Sequence, residues 1–162
     1  MHHRNRHHSV RKHLQYTIIA KKTCGRPRYI PTHCPMTTFS ALIRGAAISG
    51  FIGVAAGAFG AHGLKNHVDP ALLPIWHTAV LYQLIHTLAI LMLVGLAAHI
   101  NESALRWTGR LFAAGIVIFS GSLYVLVLTN VKWLGAVTPI GGLCFLAGWL
   151  CLALAASSKT GR

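Results

Sequence analysis

Acidic side chains are nearly missing from this chain: Asp69 and Glu102 are the only two in 162 residues. Both are expected in loops, which leaves little capacity for general acid–base chemistry and no carboxylate inside a helix to support a metal. Charge of either sign is scarce as well, at 10% of residues, where a soluble domain carries about a quarter. So few charges do not cover the outside of a soluble globule. The familiar catalytic signatures are also lacking: there is no GxSxG elbow, no P-loop and no dinucleotide fingerprint. The run GAFGAHG at 57–63 has a GxxGxxG spacing, but it ends an apolar segment and follows no strand.

What the chain does have is apolar length. Hydrophobic residues make up 54% of it, and a bilayer removes the need for a charged exterior. The net charge of +13 is unevenly spread. Eight of the fifteen Lys and Arg fall in residues 1–35, and the remainder carries seven basic against two acidic residues, a net +5. Those seven lie mostly near the ends of apolar runs, as membrane-flanking residues do. No basic face is interleaved with aromatics, so a nucleic-acid partner is not expected.

Residues 1–35 are basic, His-rich and broken by Pro, with no apolar stretch long enough to span a bilayer. They lack the apolar core and small-residue cleavage site of a signal peptide. The expectation is a disordered basic extension, with Met36 as the true start of an overlong gene reading. Of the four cysteines, Cys24 and Cys34 lie in this leader without a CxxC pattern. Cys144 and Cys151 stand seven apart on one helix face and read as buried free thiols.

Beyond Thr38 four apolar runs follow, at about 39–61, 74–98, 107–129 and 133–156. Each approaches the ~20 residues that cross ~30 Å of hydrocarbon. Backbone polar groups in lipid must be satisfied within the segment, so helices are expected. The fourth has a second reading, in which Thr138-Pro139 opens a helix that starts later. Asp69-Pro70 similarly suits a cap followed by a first helical residue. Short connections make neighbours antiparallel, which predicts an all-α, up-down-up-down transmembrane four-helix bundle over 36–162.

Two sets of residues stand out inside the spans. Gly50, Gly53, Gly57 and Gly60 share one face of the first helix, and Gly141, Cys144, Gly148, Cys151 and Ala155 form a similar stripe on the fourth. Small residues let helix backbones approach and gain dispersion contacts that lipid does not supply. A groove lined by the same glycines is the competing reading. The second helix carries Tyr82, Gln83 and His86 on one face, with Ser120, Ser122 and Tyr124 of the third as expected partners. Such a polar cluster is either interhelical glue, at roughly 0.6–2 kcal/mol per hydrogen bond, or a proton-handling or ligand site. His62, His67, His77 and His86 lack the spacing that puts two metal ligands on one helical turn, so neither metal nor cofactor is expected. Trp76 and Trp133 are expected to belt one interface and Trp107 the other, with Trp149 a packing residue.

Four segments in order carry a family resemblance. They are Gly57-Ala58-Phe59-Gly60-Ala61-His62-Gly63-Leu64, Thr78 to Ala89 (TAVLYQLIHTLA), Phe119-Ser120-Gly121-Ser122-Leu123-Tyr124, and Thr138-Pro139-Ile140-Gly141-Gly142 followed by Ala147-Gly148-Trp149. Together they resemble the domain-of-unknown-function 423 family of small bacterial inner-membrane proteins, over about 36–156. The resemblance implies a four-helix membrane protein and brings no catalytic residues.

The functional expectation is a non-enzymatic membrane protein, an accessory or stabilising subunit whose partners are the lipid bilayer and another membrane protein or further copies of itself. The alternative is a small transporter or channel using the polar face of the second helix. Four-helix multidrug transporters share this layout, but they couple protons through a membrane-embedded glutamate, which the spans here lack. Orientation follows from Lys and Arg: Arg44, Arg106, Arg110, Lys159 and Arg162 fall on one side, and Lys65 and Lys132 on the other. That asymmetry predicts both termini in the cytoplasm of a bacterial inner membrane. Alkaline-phosphatase fusions after Lys65 and Lys132 are expected to be active, and fusions after Glu102 and Arg162 inactive; the opposite pattern overturns the orientation.

Overall fold

The computed structural model describes residues 36–157. The basic leader, Cys24, Cys34, Lys159 and Arg162 lie outside the described residues. Four helices organise the remainder: α1 Met36–His62, α2 Leu73–Leu96, α3 Glu102–Thr129 and α4 Thr138–Ser157. All four contribute spans long and apolar enough to cross a membrane, and no strand occurs among the described residues. The fold is the expected all-α membrane bundle.

Helix ends differ from the hydropathy limits wherever polar capping decides them. Asp69 caps a 3₁₀ turn, Pro70–Leu72, by accepting the Ala71 N–H at 2.8 Å, and α2 continues from it. α3 begins five residues before the expected 107, because Asn101 accepts the Ala104 N–H at 2.7 Å and Glu102 lies in the first turn, favourable to the helix dipole. Glu102 therefore belongs to a helix and not to a loop; its carboxylate is half-exposed and meets Arg106 at 2.7 Å one turn on. At the other end Asn130 takes a left-handed conformation, φ 56°, and closes α3. A 3₁₀ stretch, Lys132–Ala136, precedes α4, so the last helix starts at Thr138-Pro139 and not at 133. Proline near a helix start gives up an N–H that has no partner inside the helix.

α1 lies along α2, α2 along α3, and α3 along α4. Two apolar clusters sit at opposite ends of this arrangement. One gathers Leu64, Trp76, Val80, Leu126 and Val127; the other contains Leu93, Leu105, Phe112, Ile116 and Phe145 among its members. Lipid takes the place of water outside, so Ile48, Phe51, Val54, Met92, Val117 and Leu143 are exposed without penalty.

The glycines of α1 face α2. A methyl group built on Gly60 would come within 2.5 Å of the Trp76 indole, and one on Gly53 within 2.7 Å of Leu84 Cδ2. Gly50 and Gly57 have room, with Thr87 and Val80 side chains at 3.6 and 3.5 Å. Trp76 is accordingly a bundle residue, only 4% exposed, and not part of an interfacial belt. Its indole N–H donates to the Ala56 carbonyl at 2.9 Å, a contact that the bare surface of Gly60 makes reachable. Trp133 and Trp107 are exposed as an interfacial role requires, and Arg110 stacks over Trp107 at 5.5 Å.

On α4, Gly148 packs under Phe112, and Gly141 sits against the backbone of Phe119. Phe119 belongs to the π-helical turn, Ile116–Ser120, that interrupts α3. Backbone yields less than the end of a side chain, so Gly141 is the strictest position of the two stripes. Its neighbour Gly142 has nothing within 4 Å of a built Cβ. Gly141→Ala is expected to cost about 1–3 kcal/mol through overpacking, whereas Gly142→Ala is expected to be neutral or to gain up to about 1 kcal/mol of helix propensity. Thermal unfolding of the two variants in the same detergent checks this, and equal stability would count against the α3–α4 contact.

Candidate functional site

The polar residues of the spans form a layer between the two apolar clusters. α2 supplies Gln83, His86 and Thr87, which its turns from Ala79 to Thr87 bring to buried positions, and α3 supplies Ser120 and Ser122. Gln83 is 4% exposed and uses both ends of its amide. Its Nε2 donates to the Ser49 carbonyl of α1 at 2.8 Å, and its Oε1 accepts the Tyr124 hydroxyl of α3 at 2.8 Å. Tyr124 is held in place by its ring, which packs against Trp76 at 4.6 Å between centroids. A second α1–α2 bond joins the Ser49 and Thr87 hydroxyls at 2.7 Å. Ser120, 1% exposed, donates across to the Ala79 carbonyl at 2.8 Å.

Gln83 and Tyr124 thus meet as the sequence suggested, and Ser120 reaches α2 through backbone. Two pairings differ. Ser122 turns away from α2: its hydroxyl donates to the Phe119 carbonyl at 3.0 Å and lies 3.0 Å from the Thr138 hydroxyl of α4. His86 does not meet Ser120, Ser122 or Tyr124. Its Nδ1 lies 2.8 Å from the Tyr82 carbonyl one turn back, and its Nε2 lies 3.3 Å from the Trp149 indole Nε1 of α4. A carbonyl only accepts and an indole N–H only donates, so these partners assign the neutral imidazole with its proton on Nδ1. The ring also stacks on Phe145 at 3.5 Å between centroids. Trp149 is therefore both a packing residue and a hydrogen-bond donor.

Tyr82 stands apart from the layer. Its ring stacks on Phe119 at 4.5 Å and it is 39% exposed, along a cleft of about 520 Å³ between α2 and α4. Spacing along α2 put Tyr82 and His86 on one face, and they do share the cleft wall; spacing did not show that α4 joins α3 opposite them, with Phe145 and Trp149 beside Phe119.

Ser49, Thr87 and Trp149 are the hydrogen-bonded residues of the polar layer that sequence reasoning did not pair. A signal existed for Ser49, which precedes Gly53 and Gly57 at four-residue steps and so lies on the glycine face. Among the described residues no group of three His, Cys, Asp or Glu side chains is placed to hold a metal ion. Cys144 and Cys151 are free thiols, half-buried. The Thr108 hydroxyl is fully buried without a partner among the described residues.

The corrected pairing makes a quantitative prediction. A double-mutant cycle of Gln83→Leu with Tyr124→Phe is expected to give a coupling of about 0.6–1.7 kcal/mol, the range of interhelical hydrogen bonds in membranes. A cycle of His86→Leu with Ser122→Ala is expected to give none. Coupling in the second cycle and not in the first would restore the pairing that spacing alone suggested.

Comparison with known proteins places these residues in a family. The profile described as "Protein of unknown function (DUF423)" matches residues 56–142, which include α2, α3 and all six residues of the expected polar cluster. A UPF0382 membrane protein of Staphylococcus aureus is 45% identical over 109 residues, covering 67% of this chain and 88% of its own length. UPF0382 membrane protein YwdK of Bacillus subtilis is 41% identical over 111 residues, covering 68% and 90% respectively. A UPF0382 membrane protein of Staphylococcus epidermidis is 46% identical over 109 residues, covering 67% and 88%. No solved structure matches the chain. With half of its length matched by the family profile and bacterial membrane proteins aligned to it over nearly their whole length, the chain belongs to the DUF423 family of membrane proteins.

Proposed function

We propose that this protein is a non-enzymatic accessory subunit of the bacterial cytoplasmic membrane, with both termini in the cytoplasm, which stabilises a second membrane protein. The observation that carries this reading is the use made of polar side chains within the spans. Gln83, Ser49, Thr87, Ser120, Ser122, Tyr124 and His86 are engaged in bonds that tie helix to helix or close a helical turn. A permeation path keeps such groups facing a water-filled lumen, and an active site keeps some of them free for substrate. Here they rigidify the bundle instead. A rigid apolar bundle acts on its surroundings through the surface it presents to other helices. α1 fits that part, since only 11% of its span is buried within the chain, against 44% for α2.

A transporter or channel is the second reading, favoured by the cleft that Tyr82 and His86 line. The positions of Asp69 and Glu102, one in a loop and one at a helix start with its side chain half-exposed, leave the spans without an embedded acid for proton coupling.

Affinity capture in mild detergent, combined with deletion of the gene, separates the two readings. An accessory subunit is expected to co-purify with a stoichiometric membrane partner whose abundance falls in the deletion strain while its transcript is unchanged. A lone protomer that conducts ions or solutes in liposomes overturns the proposal.

A further inference from the structure

Tyr82 carries a hydroxyl that the bundle does not use. It forms no hydrogen bond with any described residue, in contrast to Gln83, Tyr124 and Ser120 around it. Its depth makes this notable. At 1.5 Å per residue α2 is roughly 36 Å long, and Tyr82 stands roughly 14 Å from its start, near the middle of the bilayer. No water is available there to satisfy a phenol, and a tyrosine side chain is too short to reach the interface.

The cleft beside it has the form of a site. Its volume of about 520 Å³ lies within the ~300–1,000 Å³ of small-molecule pockets. Rings line it: Tyr82, Phe119, Phe145 and Trp149, with the His86 imidazole stacked into the same wall. The π-helical turn of α3 holds Phe119 in this wall through its backbone contact with Gly141. Gly142 also lines the cleft, and a built Cβ there meets nothing within 4 Å.

We propose that the α2–α4 cleft binds a lipid-soluble molecule of the quinone type, a flat ring whose carbonyl oxygen accepts the Tyr82 hydroxyl. A lining of four aromatic side chains and an imidazole favours a flat aromatic or quinonoid ring over an alkyl chain, because offset and edge-on ring contacts add to area burial. The free phenol O–H calls for an acceptor oxygen at mid-membrane. The ester carbonyls of a glycerolipid lie at the interface, roughly 15 Å from the midplane of a ~30 Å core, whereas a free quinone carries its carbonyls into the hydrocarbon. His86 keeps Trp149 as its partner, so the oxygen contact belongs to Tyr82.

The test uses the full-length protein in detergent, with decylubiquinone as the probe and tryptophan fluorescence as the readout, since Trp149 lines the cleft. Saturable quenching is expected for the wild type. Tyr82→Phe removes one oxygen that bonds nothing described in the protein, and is expected to weaken binding roughly tenfold, the value of one ordinary hydrogen bond, with unchanged thermal stability. Gly142→Leu extends a side chain into the cleft from a position whose Cβ meets nothing within 4 Å, and is expected to abolish saturable quenching while the melting temperature holds. An excess of 1-decanol, which has the tail and an oxygen but no ring, is expected not to relieve the quenching. Linear, unsaturable quenching of the wild type overturns the proposal, as does unaltered binding in either variant or displacement by decanol.

Discussion

The amide of Gln83 holds three of the four helices in register. One end donates to the Ser49 carbonyl of α1 and the other accepts the Tyr124 hydroxyl of α3. In hydrocarbon an amide without partners is costly, so α1 and α3 have few ways to slide along α2 that keep both ends satisfied. The rest of the bundle is consistent with this constraint. Gly53 presents no side chain towards Gln83, Thr87 reaches Ser49 one turn further along, and Trp76 packs over Tyr124 while donating to Ala56. Apolar clusters close the layer on both sides.

The fourth helix is attached by different means. Its glycines bring it against the backbone of α3, and its bonds to the other helices run through the Ser122–Thr138 hydroxyl pair and through Trp149 to His86. A π-helical turn lies where Gly141 meets Phe119. Such turns are frequent at functional sites because the extra residue re-aims the side chains around it. In this protein the turn borders a cleft that combines ring walls with a hydroxyl unused among the described residues. The division of labour is physical: α1, α2 and α3 are locked by polar bonds, and the α2–α4 side retains open volume.

Membership of the DUF423 family of membrane proteins leaves activity to be argued from the site. The accessory-subunit reading and the quinone-type site rest on different observations, the first on polar groups consumed by helix pairing and the second on the hydroxyl that is not. Either stands without the other.

Apolar length and scarce charge determined a four-helix membrane bundle from sequence alone, since hydropathy over ~20 residues is a property of the chain and not of its packing. Glycine spacing likewise determined which glycines of α1 share a face, because the 3.6-residue period fixes which side chains lie together; that this face meets α2 was decided by the fold. Partnership was decided by tertiary structure. Periodicity put Tyr82, Gln83 and His86 together, but which helix lies opposite each depends on rotation about the helix axis, which periodicity does not fix. Hence Gln83 found Tyr124, His86 found Trp149, and Ser122 found Thr138. Trp76 shows the same limit: a tryptophan near a helix end suits the interface by composition, and only the bare surface of Gly60 drew it inside.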